Sequence, residues 1–257
     1  MNTTLITGAS SGIGAAFARK LAKRGRNVLL VARSEEKLIA LCNELGRLSG
    51  ARAQYFVMDL IEPEAAAHLL EETQKRELVI DMLVNNAGVG SMGDFSRLEL
   101  ERELEIIDLN VKSLVDLTYK FLLPMRERRQ GTIINVASTA GFQAVPFMAT
   151  YAATKAFVLS FSEALAEENR RHGIHVMALC PGVTDTNFFA ASKIDRPPMR
   201  TIQTPEEVVD AALRGLRRGK STVISGWTNW ITVEAERFVP RSVVTKVAAK
   251  ALRSRFE

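Results

Sequence analysis

The stretch Thr7-Gly8-Ala9-Ser10-Ser11-Gly12-Ile13-Gly14 follows a short apolar run over residues 3–7 and opens a helical pattern near Ile13. A strand, a glycine-rich turn and a helix N-terminus in this order cradle a nucleotide diphosphate. Gly8 permits the tight turn, Gly12 lets backbone approach the diphosphate, and Gly14 lets helix and strand pack closely. The helix start contributes unpaired N–H groups and partial positive charge. The loop Gly8, Ser10, Ser11, Gly12, Ile13 and Gly14 is therefore the first candidate cofactor site.

Outward from this loop, short β-branched runs alternate with longer helical patterns, which predicts βαβ units and a parallel sheet. Strands are expected at 3–7, 27–32, 53–58, 82–85, 132–137, 175–179 and 222–225. Several are unbroken apolar runs, as strands buried on both faces should be. Ser34 with Glu35 and Glu36 marks one helix start. Thr204-Pro205-Glu206-Glu207 marks another, with a Thr cap, Pro at the first helical position and Glu at the capping-box position. The reading is an α/β fold: a doubly wound parallel sheet of seven strands, order 3-2-1-4-5-6-7, helices on both faces, in one domain.

The bulk properties narrow the function classes. The 257 residues are 47% hydrophobic and 25% charged, enough for one large core. No apolar run reaches the roughly 18 residues of a membrane-spanning helix, and the N-terminus lacks a signal-peptide pattern. Two cysteines (Cys42, Cys180) and three scattered histidines make no metal-ligand spacing, so no metal is expected and a cytoplasmic setting is. The net charge is +5, but residues 236–257 hold six basic against two acidic groups. The remainder is nearly neutral, which argues against nucleic acid as a partner.

The second strand decides between the two dinucleotides. It ends Val31-Ala32-Arg33-Ser34 with no carboxylate to bond the ribose 2′-hydroxyl of NAD. Arg33 attracts a 2′-phosphate instead, with Ser34 beside it, so NADP(H) is favoured. Asp59, just past the third strand, is either an adenine contact or a helix-start carboxylate.

Tyr151 and Lys155 are four residues apart, one turn along a helix face. Alone the pair says little, but Ser138 ends the fifth strand, Asn110 interrupts a helical stretch, and Asn85-Asn86-Ala87-Gly88 closes the fourth strand. All fall at the carboxyl side of the strands, where open α/β sheets bind ligands. With Pro181-Gly182 and Thr186, these residues make the chain resemble the short-chain dehydrogenase/reductase family, in its single-domain, Rossmann-type branch. The match runs from Thr7 to Thr186.

The resemblance implies that Tyr151 passes its phenolic proton to a carbonyl oxygen while the dinucleotide delivers hydride. A free phenol titrates near 10, but a cation about 4 Å away at an effective dielectric near 20 is worth about 4 kcal/mol, about three pKa units. Lys155 is expected to supply that cation, and with Tyr151 to border the nicotinamide ribose. Ser138 holds the substrate oxygen, and Asn110 either holds a relay water or merely distorts its helix. Asn86 is expected to tie strands together, with Ala87-Gly88 leaving room for the cofactor, while Pro181-Gly182 and Thr186 shape the nicotinamide pocket.

Specificity is expected from residues 139–150 and 185–201. Phe142, Val145, Pro146, Phe147, Met148, Phe188, Phe189 and Met199 there form either an apolar substrate wall or ordinary core. Lys193, Asp195, Arg196 and Arg200 offer an anionic handle. Residues 1–226 read as the catalytic and NADP-binding domain. Residues 227–257 read as a basic helical extension carrying a stripe of Val243, Val244, Val247, Ala248, Ala251 and Leu252. Packing on its own domain or on a second subunit is favoured over a membrane surface. The function read from the chain is reversible reduction of a ketone or aldehyde to an alcohol. The alternatives are a redox-inactive NADP-binding regulator, which usually lacks the tyrosine or lysine kept here, and a membrane-surface reductase of lipid or acyl ketones. Family members are usually homodimers or homotetramers.

Overall fold

The computed structural model describes residues 1–48, 50–188, 192 and 202–253. Phe189, Lys193, Asp195, Arg196, Met199 and Arg200 lie outside the described residues. Seven parallel strands form one sheet in the order β3-β2-β1-β4-β5-β6-β7. They are β1 (Asn2–Thr7), β2 (Asn27–Ala32), β3 (Ala53–Val57), β4 (Val79–Asn85), β5 (Gly131–Val136), β6 (Ile174–Cys180) and β7 (Thr222–Ile224). The order reverses at β1, so the crevice beyond the carboxyl ends of β1 and β4 is the natural ligand site.

Adjacent residues on the central strands feed opposite cores. Leu5, Leu29, Leu83, Ile133 and Val176 pack into one apolar cluster. The next residue on each strand, Ile6, Leu30, Val84, Ile134 and Met177, packs into the other. All ten are at most 1% exposed, which explains why the sequence shows apolar runs rather than alternation. Each such side chain contributes about 1.5–3 kcal/mol by burial.

On the first face lie α1 (Gly12–Ala22), α2 (Glu35–Leu48) and α7 (Pro205–Arg217), contributing Phe17, Leu38 and Val209 among others. On the second lie α3 (Ala65–Lys75) and α5 (Ser113–Glu127), contributing Leu69 and Phe121. The α4 helix (Leu100–Ile107) runs into α5 through a π-helical turn at Asp108–Lys112, and α6 (Ala149–Arg170) carries Tyr151 and Lys155. The capping box read from sequence is present: Thr204 N–H donates to Glu207 Oε2 at 2.8 Å and Glu207 N–H to Thr204 Oγ1 at 3.2 Å.

The fourth strand begins three residues earlier than the apolar pattern predicts, at Val79 rather than Met82. Asp81 breaks the run, but Arg26 from the β2 side pairs with its carboxylate at 2.5 Å, so the charge is tolerated inside a strand. At the chain end, α8 (Trp227–Glu236) buries only Val233 and α9 (Arg241–Arg253) buries none of its described residues; Val244, Ala248 and Leu252 are half-buried. Among the described residues no helix is long and apolar enough to cross a membrane.

Candidate active site

A cleft of about 500 Å³ opens at the carboxyl edge of β1, β4, β5 and β6. It is lined at one end by Arg33, Ser34 and Asp59 and at the other by Gly88, Ser138, Tyr151, Lys155, Pro181 and Gly182. Between them lie Gly8, Ser10, Ser11, Gly12 and Ile13, with Asn86 and Ala87 against Gly8 and Thr186 against Gly12. Of the catalytic and cofactor-binding residues expected from sequence, Gly14 and Asn110 are the two that sit behind this wall.

The glycine loop is built for close approach. Gly8 and Gly12 take φ of +62° and +55°, where a side chain is strained. A Cβ on Gly8 would stand 2.9 Å from the Ala87 Cα, and one on Gly14 would stand 2.5 Å from the Gly8 carbonyl oxygen. Ser11 is the N-cap of α1, yet its side chain accepts no capping hydrogen bond. The first N–H groups of α1 are thus presented beside the cleft, a cradle that fits the diphosphate of a dinucleotide.

Asn86 joins β4 to β1: its Nδ2 donates to the carbonyls of Thr7 at 3.0 Å and Gly8 at 3.2 Å, and its N–H to Thr7 Oγ1 at 3.0 Å. Behind it runs a buried polar thread. Asn85 Nδ2 donates to Thr118 Oγ1 at 3.0 Å and to Asn135 Oδ1 at 2.9 Å, and Asn135 Nδ2 donates to Ser162 Oγ on α6 at 2.9 Å.

At the adenosine end, Arg33 Nη1 stands 3.4 Å from Asp59 Oδ2, and the Arg33 side chain is 68% exposed. Lys37, one helical turn on, lines the same end and was missed in the sequence; its spacing of four from Arg33 was the available signal.

Tyr151 and Lys155 are both buried. Burial pushes the Tyr151 phenol above its ordinary value, and the hydrogen bond from Ser138 works in the opposite direction. Lys155 Nζ donates to the Val136 carbonyl at 2.8 Å and lies 5.8 Å from the Tyr151 ring centroid. The same burial pulls Lys155 down to about 8. Cys180 behind it is held up to about 12 and stays a neutral thiol in that range.

Besides its bond to the Tyr151 phenol, Ser138 Oγ accepts from the Ala140 N–H at 3.1 Å and lies 3.5 Å from the Pro181 carbonyl. Asn110 occupies the π-helical turn. Its Nδ2 donates to the Val89 carbonyl at 2.9 Å and to Thr154 Oγ1 at 3.0 Å, and its Oδ1 accepts from the Val89 N–H at 3.0 Å. A Cβ on Gly88 would meet that Oδ1 at 3.1 Å and Lys155 Nζ at 3.4 Å, so both atoms border one small space.

The apolar residues divide between the two expected settings. Met148 and Phe188 line the cleft, but Phe142 packs into a core cluster with Val158 and Ala178. Val145, Pro146 and Phe147 do not line it. Phe147 takes φ +64° and its carbonyl accepts from Gly93 N–H at 2.8 Å, which joins the two loops flanking the cleft. Met92, Val89 and Leu109 complete the wall instead. The Phe188 ring lies against Tyr151 at 5.3 Å, and Ser192 Oγ accepts from the Gly90 N–H at 2.9 Å. Among the described residues no cluster of metal-ligating side chains occurs.

This fold and site define a nicotinamide-dependent oxidoreductase class. A family model described as short chain dehydrogenase matches residues 2–197, and the chain belongs to the short-chain dehydrogenase/reductase family. It is 32% identical over 223 residues to the ketoacyl reductase HetN of Nostoc sp., covering 86% of this chain and 77% of that relative. The fold matches a short-chain dehydrogenase from Sphingobium yanoikuyae in complex with NADPH, with TM-score 0.83, 34% identity, and coverage of 92% and 94% of the two chains. It also matches the bulky-bulky ketone specific alcohol dehydrogenase from Comamonas testosteroni, with TM-score 0.79, 31% identity and 92% of each chain. The chain is thus an oxidoreductase acting on carbonyl and alcohol groups with a nicotinamide cofactor.

Proposed function

We propose that the protein reduces an apolar ketone or aldehyde with NADPH, Tyr151 acting as the acid. The observation that carries this reading is the meeting of Tyr151, Ser138 and Lys155 in one cleft whose far end offers Arg33 and Lys37. When bound, the dinucleotide supplies the hydride. Gly8 to Gly14 hold its diphosphate, Arg33, Ser34 and Lys37 its 2′-phosphate, and Pro181, Gly182 and Thr186 its nicotinamide end. Asp59 stands beside Arg33 at the adenine end.

Burial keeps the Tyr151 phenol protonated at neutral pH, the state a proton donor needs. Ser138 already accepts from Ala140, so its O–H, beside the Tyr151 phenol and only 3.5 Å from the Pro181 carbonyl, is available to turn to the substrate oxygen and stabilise the charge that develops there. Asn110 and Lys155, bordering one space beside Gly88, hold a water that restores the proton to Tyr151. The NADPH-bound relative and the matching ketone-specific dehydrogenase support cofactor and reaction type. Met92, Met148 and Phe188 favour an apolar substrate body. Leu100, Leu104, Tyr119, Leu123 and Phe157, all exposed on α4, α5 and α6, favour a homo-oligomer through those helices.

The test is NADPH oxidation against acyl, steroid and small aldehyde carbonyls, with wild type and Tyr151→Phe. The variant should lose roughly 10²–10⁴-fold in kcat while NADPH affinity stays within about twofold. Activity retained within tenfold overturns the proton role.

A further inference from the structure

We propose that the α8–α9 segment is a docking surface for an anionic phospholipid bilayer. Trp227, Trp230 and Ile231, spaced i, i+3 and i+4, form one face of α8 and are 75%, 54% and 48% exposed. Phe238 in the turn that follows is 87% exposed, and Val243 and Val247 on α9 are 46% and 65% exposed. Large apolar groups in such number on one short segment are uncommon on a free soluble surface.

Charge selects the occupant. Arg241, Lys246 and Lys250 are exposed on the same α9 helix, and residues 236–257 carry most of the chain's positive excess. A self-complementary contact between two copies would bring these like-charged segments together. Indole and phenyl rings flanked by lysine and arginine suit the interface of an anionic bilayer, where the rings enter the headgroup boundary and the cations meet phosphate. The sequence stripe alone lacked such anchors; they come from α8 and the turn.

The α8 helix is also held at the cleft. Asn229 Nδ2 donates to the Ser225 carbonyl at 2.7 Å and to Gln203 Oε1 at 3.3 Å, and the Asn229 side chain packs against Gly182 of the cleft wall. Asn229 lies on the side of α8 opposite Trp227 and Trp230, so a bilayer seated on the outer face is about one helix diameter from the cleft wall at Gly182, and a ketone dissolved in that bilayer is the substrate class this placement serves. Only that last step rests on the proposed reduction; the surface does not.

The experiment is flotation of the full chain with vesicles of phosphatidylcholine alone or with about one-third phosphatidylglycerol. It is run at low salt and near 1 M, where the screening length falls to about 3 Å. NADPH oxidation with a water-soluble ketone and sizing without lipid run in parallel. Partitioning should favour anionic vesicles at least tenfold and collapse in high salt. Each basic residue near such a surface contributes about fivefold, so K246Q/K250Q should bind roughly 25-fold more weakly. W227A/W230A should lose binding to anionic vesicles while soluble-substrate activity is kept. Equal binding to both vesicle types, salt-insensitive binding, or an unchanged K246Q/K250Q overturns the proposal. A lipid-free dimer that W227A/W230A disperses also overturns it, because the face is then an interface between copies. Loss of activity in every variant and in wild type sinks the reductase reading alone.

Discussion

Replacing Arg33 with alanine tests the cofactor preference most directly. A charge-assisted hydrogen bond to phosphate is worth about 1.5–3 kcal/mol, but Arg33 is 68% exposed and partly screened, so about 1–2 kcal/mol is the fair figure. That is roughly a 5–30-fold loss of NADPH affinity. The 3.4 Å contact with Asp59 is a surface ion pair worth little, so it does not hold the guanidinium back from a phosphate. With Arg33 gone, the Asp59 carboxylate is left facing the same end of the cleft and adds repulsion. NADH lacks the phosphate and should bind within about twofold of its wild-type affinity. R33A/K37A should widen the gap further, up to roughly 100-fold, if both cations act on one group. Fluorescence titration of both dinucleotides at fixed ionic strength reads these values. Parallel losses for NADPH and NADH, or an NADPH loss under twofold, refute 2′-phosphate recognition by this pair.

Three further outcomes follow from the geometry. Lys155, lowered to about 8, holds its ammonium charge below that pH and loses it above, so kcat/KM for reduction should fall above pH 8 with a one-proton slope; a profile flat from pH 7 to about 10 contradicts the role given to its charge. Asn85→Ala removes the donor to both Thr118 and Asn135 inside the core and should lower unfolding free energy by about 1–3 kcal/mol, read by urea denaturation; a change under about 0.5 kcal/mol removes the thread from the stability argument. Gly8→Ala forces a side chain into φ +62° against Ala87 and should cost about 1–2 kcal/mol and weaken dinucleotide binding; unchanged melting and binding refute the close-approach account.

The parts of this molecule that were legible in the sequence are those fixed by neighbours in the chain. The β1 turn, the Thr204 capping box and the Tyr151–Lys155 spacing depend on a few adjacent residues, and all were read from them. The start of β4 was not, because Asp81 is accommodated by Arg26 from a different strand end. The substrate wall was half read for a similar reason. Phe142 stood by position between pocket wall and core, and only three-dimensional packing assigns it to the core, while Met92 and Leu109 arrive from segments not flanking Tyr151. The direction of the Tyr151 shift depends on burial, which a spacing does not encode.

The hydrogen bond from Asn135 to Ser162 bears on how the catalytic helix is aimed. Ser162 lies seven residues beyond Lys155 and eleven beyond Tyr151, close to two and three whole turns, so all three share one azimuth on α6. Apolar contacts tolerate a helix rolling on its bed; a directional bond to a strand does not. The sheet thus acts as an indexing pin, and the setting it fixes deep inside the core is carried along a rigid rod to the phenol and ammonium at the rim.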